Sequence, residues 1–391
     1  MIKSSHYDFL DQKRVIYGRN FAEAVAEEIT ERNANRVLVV SSKTLHRKLN
    51  VTAPLKETLG DRLLEIFDDI EPHAPLEKVL ELTSVLLRIK PDVIVSIGGG
   101  SVIDTVKVAA LAYAQGAQTV QDIAALRVTI NDAGQQVSPV NPDNIVRQIA
   151  VPTTLSGAEF GTIGGAVDTV RNVKDIYTHP QMCSQVIVYD AELCRLTPND
   201  LWVATAMRAV DHAVETILSP LATPYTDGPA LHALKLFGRS LQAGDQVKMS
   251  LGSIQECHFA VWAATIGLMR TPYGASHGIG HQVGAIAGVQ HGLCSCVLLP
   301  SVLRYNATAA GERDTWIAEA LGCKDLSASD AVRNLIRRLG LPDSLSKAGV
   351  KREQLPIIAS AALGSFFVRN NLQPITEASQ IMEILDMAWE S

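Results

Sequence analysis

The sequence predicts an α/β domain built on a parallel sheet, residues 1–190, followed by an all-helical domain, residues 191–391. Two observations carry this. Up to Asp190, short apolar runs rich in β-branched residues alternate with helical patterns, as buried parallel strands and their crossover helices do. Beyond it the strand signal fades and helical periodicity takes over. A chain of 391 residues has room for two such domains at about 150 residues each, and a cleft between them is the default ligand site.

In chain order, the expected strands are Arg36–Ser41, Leu63–Asp68, Asp92–Gly98, Ile145–Pro152 and Gln185–Ala191. Lys43–Leu59, Pro75–Ile89 and Ser101–Ala114 are the expected crossover helices. Val128–Asn144 has turn chemistry at both ends, in Asn131-Asp132-Ala133-Gly134 and Ser138-Pro139, and reads as a hairpin. In the second half, Thr197-Pro198-Asn199-Asp200 reads as an N-cap with proline in the first turn, opening a helix Asp200–Leu218 that Ser219-Pro220 ends. Further helices are expected at Pro229–Leu241, Ser253–Met269, Ser276–Ala287, Leu293–Asn306, Arg313–Ala320, Ala328–Leu339, Lys351–Leu363 and Thr376–Trp389.

Composition excludes several classes. With 47% hydrophobic and 19% charged residues the chain is too apolar for disorder, and no stretch approaches the length of a membrane span. Lys and Arg total 35 against 41 Asp and Glu, so nucleic acid and membrane are not expected partners and a small molecule is. The six cysteines lack metal or redox spacing, and the N-terminus lacks a secretory apolar run. A reduced, cytoplasmic protein is expected.

Gly98-Gly99-Gly100-Ser101 lies directly after the strongest strand and before a helix. Glycines there let backbone N–H groups approach a pyrophosphate, and the helix N-terminus adds partial positive charge. Asp104, in the first turn, either joins this site or caps amides. A second turn, Pro152-Thr153-Thr154-Leu155-Ser156-Gly157, follows the next strand in the same manner, with hydroxyls suited to ribose or diphosphate. In the helical half, His277 and His281 are spaced to share a helix face, His291 returns after a glycine-containing turn, and His212 lies upstream. Such a cluster serves either a metal or a proton relay.

GGGSVIDTVK, PTTLSGAEFG and the histidine segment together resemble the iron-type, group III alcohol dehydrogenase superfamily, with the closest likeness to maleylacetate reductases. The likeness runs from Arg14-Val15-Ile16-Tyr17-Gly18 to Arg369-Asn370-Asn371-Leu372-Gln373-Pro374. It implies the dehydroquinate synthase-like fold: a Rossmann-like domain binding NADH or NADPH through Ser42, Gly98, Gly99, Gly100, Ser101, Asp104, Thr153, Thr154 and Ser156, and a helical catalytic domain. It also implies a homodimer, with Val15–Tyr17 pairing across a two-fold axis.

Metal-dependent relatives complete an iron or zinc site with an Asp four residues before the first histidine. Here that position is Arg208, so a metal on His212, His277 and His291 is put in doubt, because a guanidinium repels a cation. Asp211 is about 100° round the helix from His212 and a poor substitute ligand. The reading that follows is a metal-independent reductase of a carbonyl or enone, in which Arg208 binds a substrate carboxylate or stabilises the developing alkoxide and His281 or His291 supplies the proton. The competing role for Arg208 is an ion pair with Asp211 or Glu215. Alternatives for the whole protein are a metal-dependent alcohol dehydrogenase, a dehydroquinate synthase-type lyase and an inactive binding protein. NAD-specific relatives often carry Asp at the position of Ser42; serine, followed by Lys43, predicts that NADPH is accepted beside NADH.

Overall fold

The structure is a computed structural model that describes residues 6–131, 136–139, 144–171, 173–241 and 250–390. Phe9–Leu196 forms one compact unit; Thr197 onward, with the described residues up to Asp8, forms another. The division falls six residues beyond Asp190 because the short helix Ala191–Cys194 stays on the sheet: Asp190 caps it through Glu192 and Leu193 N–H, and also accepts from Phe21 N–H.

The strands are β1 (Arg14–Tyr17), β2 (Val37–Ser41), β3 (Leu63–Phe67), β4 (Val93–Gly98), β5 (Thr129–Ile130), β6 (Gln136–Val137), β7 (Gln148–Pro152), β8 (Ile163–Asp168), β9 (Val173–Thr178) and β10 (Val186–Tyr189). Six form one parallel sheet in the order β1-β10-β7-β4-β2-β3. Alternation along a strand sends side chains to opposite faces. Val37, Val39, Val93 and Val95 accordingly join a core with the helices Phe21–Glu31 and Ala53–Leu59, while Leu38, Val40 and Ile94 join one with Leu76–Ile89 and Gly100–Ala114. Burial on both faces is why these strands are continuous apolar runs. Within the chain, Val15–Tyr17 pairs with Ile187–Tyr189 and forms a sheet edge.

Some expectations change. The single helix over Lys43–Leu59 is two pieces, Thr44–Lys48 and Ala53–Leu59, because Asn50 takes φ 51° and Pro54 starts a new helix. Only the strand ends of the Val128–Asn144 hairpin, Thr129–Ile130 against Gln136–Val137, lie in described residues; its turn does not. The hairpin β8–β9 was not predicted, since Gly164 and Gly165 have low strand propensity. Gly164 lies close against the helix Gly100–Ala114, where a Cβ would meet Val108 Cγ2 at 2.9 Å, while a Cβ on Gly165 would meet only the movable end of Lys174.

In the helical unit, Asn199–Leu218 is buried over most of its length and packs against Pro224–Ser240, Leu251–Ala264 and His291–Ala310. It starts at Asn199 with Pro198 at the cap position, not inside the first turn. The helix expected over Ser253–Met269 ends at Ala264 in a tight turn, and that expected from Lys351 begins at Leu355, where Pro356 suits a first turn. No helix among the described residues is long and apolar enough to cross a membrane.

His258 is fully buried, edge-on to Trp202 with ring centroids 5.9 Å apart, and burial pushes its imidazole down to about 3. A histidine depressed in the folded state contributes stability that is present above its unfolded value of 6.5 and is lost as pH falls below it. Between pH 8 and pH 5 this loss is about 2 kcal/mol. His258→Phe is therefore expected to shrink the difference in urea stability between those pH values by about that amount; an unchanged difference contradicts the assignment.

Candidate functional site

The first candidate site lies at the C-terminal edge of the parallel sheet. β4 ends in Gly98, where φ is +156° and a Cβ would lie 2.5 Å from Val102 Cγ2, and the helix Gly100–Ala114 starts immediately after. Thr153 N–H donates to Gly98 O at 3.0 Å, which ties the threonine turn to the glycine turn. The two turns touch: a Cβ on Gly99 would meet Thr154 Cγ2 at 2.9 Å, and one on Gly100 would meet Ser156 Oγ at 3.2 Å. Thr154 Oγ1 and Ser156 Oγ are buried oxygens with no hydrogen-bond partner. Buried hydroxyls are ordinarily satisfied, so these two oxygens can accept or donate to a polar group from outside the chain.

Other predicted residues here have internal partners. Ser101 Oγ accepts from His73 N–H at 3.2 Å, where His73 and Ala74 both take positive φ. Asp104 does not cap its helix; its carboxylate accepts from Gly165 N–H at 3.3 Å in β8, with burial raising its pKa and Lys174 and Lys107 opposing. Ser42 Oγ accepts from Leu45 N–H at 3.3 Å, and Lys43 is ion-paired with Asp69. Sequence reasoning missed Lys107. Its buried ammonium donates to the carbonyls of Ala158 and Gly161 at 2.6 Å and Ile163 at 3.0 Å, fixing the far end of the threonine turn. The lysine spacing in GGGSVIDTVK was visible; its three carbonyl partners, more than 50 residues away, were not.

The second candidate site lies in the helical unit, where the structure brings together all four predicted histidines. Ring centroids are 5.1 Å apart for His212 and His277, 6.4 Å for His277 and His281, and 5.8 Å for His281 and His291. His212 and His277 are buried; His281 and His291 are half-buried. Gly292 lets the helix His291–Ala310 lie close on the helix Asn199–Leu218, since a Cβ there would meet Ala204 O at 2.4 Å. Asn371 sets the start of the histidine helix Ala275–Ala287, its Oδ1 accepting from Ala275 N–H at 3.1 Å and from Asn306 at 3.2 Å.

Carboxylates organise this file of imidazoles. Glu215 accepts from Gly274 N–H at 3.1 Å and Ser276 N–H at 2.9 Å, and faces His277 Nδ1 at 2.6 Å. Burial pushes Glu215 up to about 7. Asp211, fully buried, accepts from Ser295 Oγ at 2.6 Å and Ser276 Oγ at 2.9 Å. Arg208 lies 3.7 Å from Asp211 and 3.4 Å from Ser295 Oγ, so the ion pair weighed against its catalytic role is present, although long. Burial lowers both His212 and His277, the latter to about 3, and the Arg208 charge lowers both further. His212 Nδ1 and His277 Nε2 are buried without hydrogen-bond partners.

A profile of the iron-containing alcohol dehydrogenases matches residues 12–191, and one of the Fe-containing alcohol dehydrogenase family, C-terminal part, matches residues 202–389. Dehydrogenase FUM7 of Gibberella moniliformis is 33% identical over 96% of this chain and 95% of its own. The chain belongs to the iron-containing alcohol dehydrogenase family. It is an oxidoreductase. Lactaldehyde reductase of Escherichia coli is 29% identical over 95% of this chain and 97% of its own. The maleylacetate reductase structure from Agrobacterium tumefaciens superposes with a TM-score of 0.81 over 100% of this chain and 99% of its own, at 23% identity, a likeness of fold.

The iron-containing family name makes the metal a question for these residues. Among the described residues, ligand atoms within 4.8 Å of one another come from Asp211, Glu215 and His277, a different set from His212, His277 and His291. In that group Glu215 already accepts two backbone N–H bonds and His277 Nδ1, and Asp211 already accepts two hydroxyls. Both hydroxyls go to Asp211 Oδ2, while Asp211 Oδ1 is buried without a hydrogen-bond partner. Arg208 is set beside them, and its fixed positive charge opposes a cation at this group.

Proposed function

We propose that this family member is a nicotinamide-dependent reductase that delivers hydride to the carbonyl or enone of a small carboxylate-bearing substrate, in the manner of maleylacetate reductases and without a catalytic metal. The observation that carries the proposal is Arg208, a fixed positive charge against Asp211 and the paired imidazoles His212 and His277. The nicotinamide, when bound, supplies the hydride. Gly99, Gly100, Thr154 and Ser156 hold its diphosphate and ribose, the two orphaned hydroxyls finding their partners there.

In the helical unit, Arg208 holds negative charge, either a substrate carboxylate or the oxygen that becomes an alkoxide. Protonation of that oxygen falls to His281 or His291, the accessible end of the imidazole file, with His277 behind them. A homodimer and a cytoplasmic location belong to the same proposal.

Metal analysis tests it. Protein purified without chelator is expected to contain well under one iron or zinc per chain, and its rate of carbonyl reduction to stay within about twofold after chelation. Stoichiometric metal, with activity lost on its removal, sinks the proposal and makes this a metal-dependent alcohol dehydrogenase using His212, His277 and His291.

A further inference from the structure

A charge cluster at the C-terminal end of β2 has no part in the chemistry above. Val40 pairs with Phe67 on one side, and Ser41 with Ile97 of β4 on the other. Ser42 therefore lies beside the turn at Gly98, and Asp68 and Asp69 follow β3 at the level of Ser41 and Ser42. In nucleotide-binding α/β sheets, a dinucleotide whose pyrophosphate lies on the glycine turn sends its adenosine ribose toward such a strand end. An acidic side chain there selects the free 2′-hydroxyl, and a basic one accommodates a 2′-phosphate. Ser42 is neither.

The basic groups with which a 2′-phosphate would pair already have partners. Lys43 is ion-paired with Asp69, which also takes Lys78 at 2.7 Å, and Lys78 is shared with Glu81 at 2.9 Å. Arg47 grips Asp68 through Nε at 2.5 Å and Nη2 at 2.7 Å, and His46 Nδ1 faces Thr52 Oγ1 at 2.6 Å. These pairings hold both aspartates below the usual carboxylate range, Asp69 at about 2. A 2′-phosphate drawn to Lys43 or Arg47 would lie against the carboxylate that each of them already holds. A 2′-hydroxyl displaces nothing.

Resting on the nicotinamide reading above, we propose that Asp69, with Asp68 beside it, selects NADH over NADPH, supplying from β3 the negative charge that Ser42 leaves out of β2. Lys43 is a phosphate-binding cation held out of use by Asp69. The dual use expected from Ser42 and Lys43 alone is narrowed accordingly, because the sequence does not show that Lys43 is paired.

Fluorescence titration of the full chain with NADH and with NADPH, without substrate, tests this. The wild type is expected to bind NADPH about tenfold more weakly than NADH, or worse. Asp69→Asn is expected to narrow that ratio by about tenfold, chiefly by tightening NADPH, and adding Lys43→Ala to remove the gain. Should Asp69→Asn fail to fold by circular dichroism, Asp68→Asn, which frees Arg47 in the same way, carries the test. Equal wild-type affinities, or a ratio that stays within about twofold in the folded variant, overturn the proposal while leaving the nicotinamide reading in place. Failure of the wild type to bind either nucleotide overturns both.

Discussion

Arg208→Ala is expected to lower kcat/KM for a carboxylate-bearing carbonyl substrate by about 10²- to 10³-fold, the range for losing a charged group that meets developing or fixed negative charge in a partly desolvated site. The side chain is only 15% exposed and its ion pair with Asp211 is 3.7 Å long, so the guanidinium retains N–H groups for a ligand. A purely structural role predicts something else. Asp211 keeps both serine hydroxyls and already has a pKa raised by burial, so it can take up a proton when Arg208 is removed, leaving folding and catalysis little changed. Two comparisons separate the catalytic roles. A carboxylate contact raises KM for the acidic substrate and spares an uncharged analogue; alkoxide stabilisation lowers kcat for both. Arg208→Lys keeps the charge but loses the planar fork, so partial rescue is expected. Wild-type kcat/KM for acidic substrates in Arg208→Ala removes Arg208 from the mechanism.

The parts of this protein that were legible in sequence are those fixed by local pattern. β2, β4 and β10 are apolar runs because both faces of the sheet are covered, and the turn at Gly98–Gly100 declares itself by a backbone approach that side chains would block. The histidine spacing likewise placed His277 and His281 on one helix, and Arg208 stood out against the metal-ligand pattern. What sequence could not show is pairing across distance. Arg208, Asp211 and Glu215 form a polar stripe along an otherwise buried helix, a periodic signal in itself. The Ser276, Ser295 and His277 groups that give it meaning lie 61 to 87 residues away. Asp211 was set aside because it is turned from His212, yet both approach His277 from one helix. Lys43 was similarly read without Asp69, whose position depends on the register of β2 against β3.

Glu215→Gln, nearly isosteric, is expected to cost about 10²- to 10⁴-fold in kcat at pH 8, the scale of a misdirected imidazole tautomer. A carboxylate accepts on both oxygens. Facing His277 Nδ1 at 2.6 Å, ionised Glu215 requires the proton on Nδ1 and leaves Nε2 as a bare lone pair toward the site. Glutamine supplies one acceptor for two backbone donors: with its oxygen toward Ser276 N–H, its NH₂ opposes Gly274 N–H and donates to His277 Nδ1, and with its oxygen toward Gly274 N–H and His277 Nδ1, its NH₂ opposes Ser276 N–H. The first orientation reverses the ring's tautomer and blocks the imidazole file at His277, the second removes the negative charge that backs it, and either loses about 1–3 kcal/mol of stability to an unmatched donor. Protonating wild-type Glu215 does the same to its bond with His277. Burial holds that group at about 7, so wild-type activity is expected to rise with pH through that region while the glutamine variant stays low and loses this limb of the profile. Glu215→Asp keeps acceptor character and should recover part of kcat, whereas a change that only loosened the fold would not respond to acceptor chemistry. A glutamine variant within about threefold of wild type at pH 8 would show that neither the charge of Glu215 nor a reversed tautomer of His277 limits the reaction, and the carboxylate's place in the proton path would fall with that result.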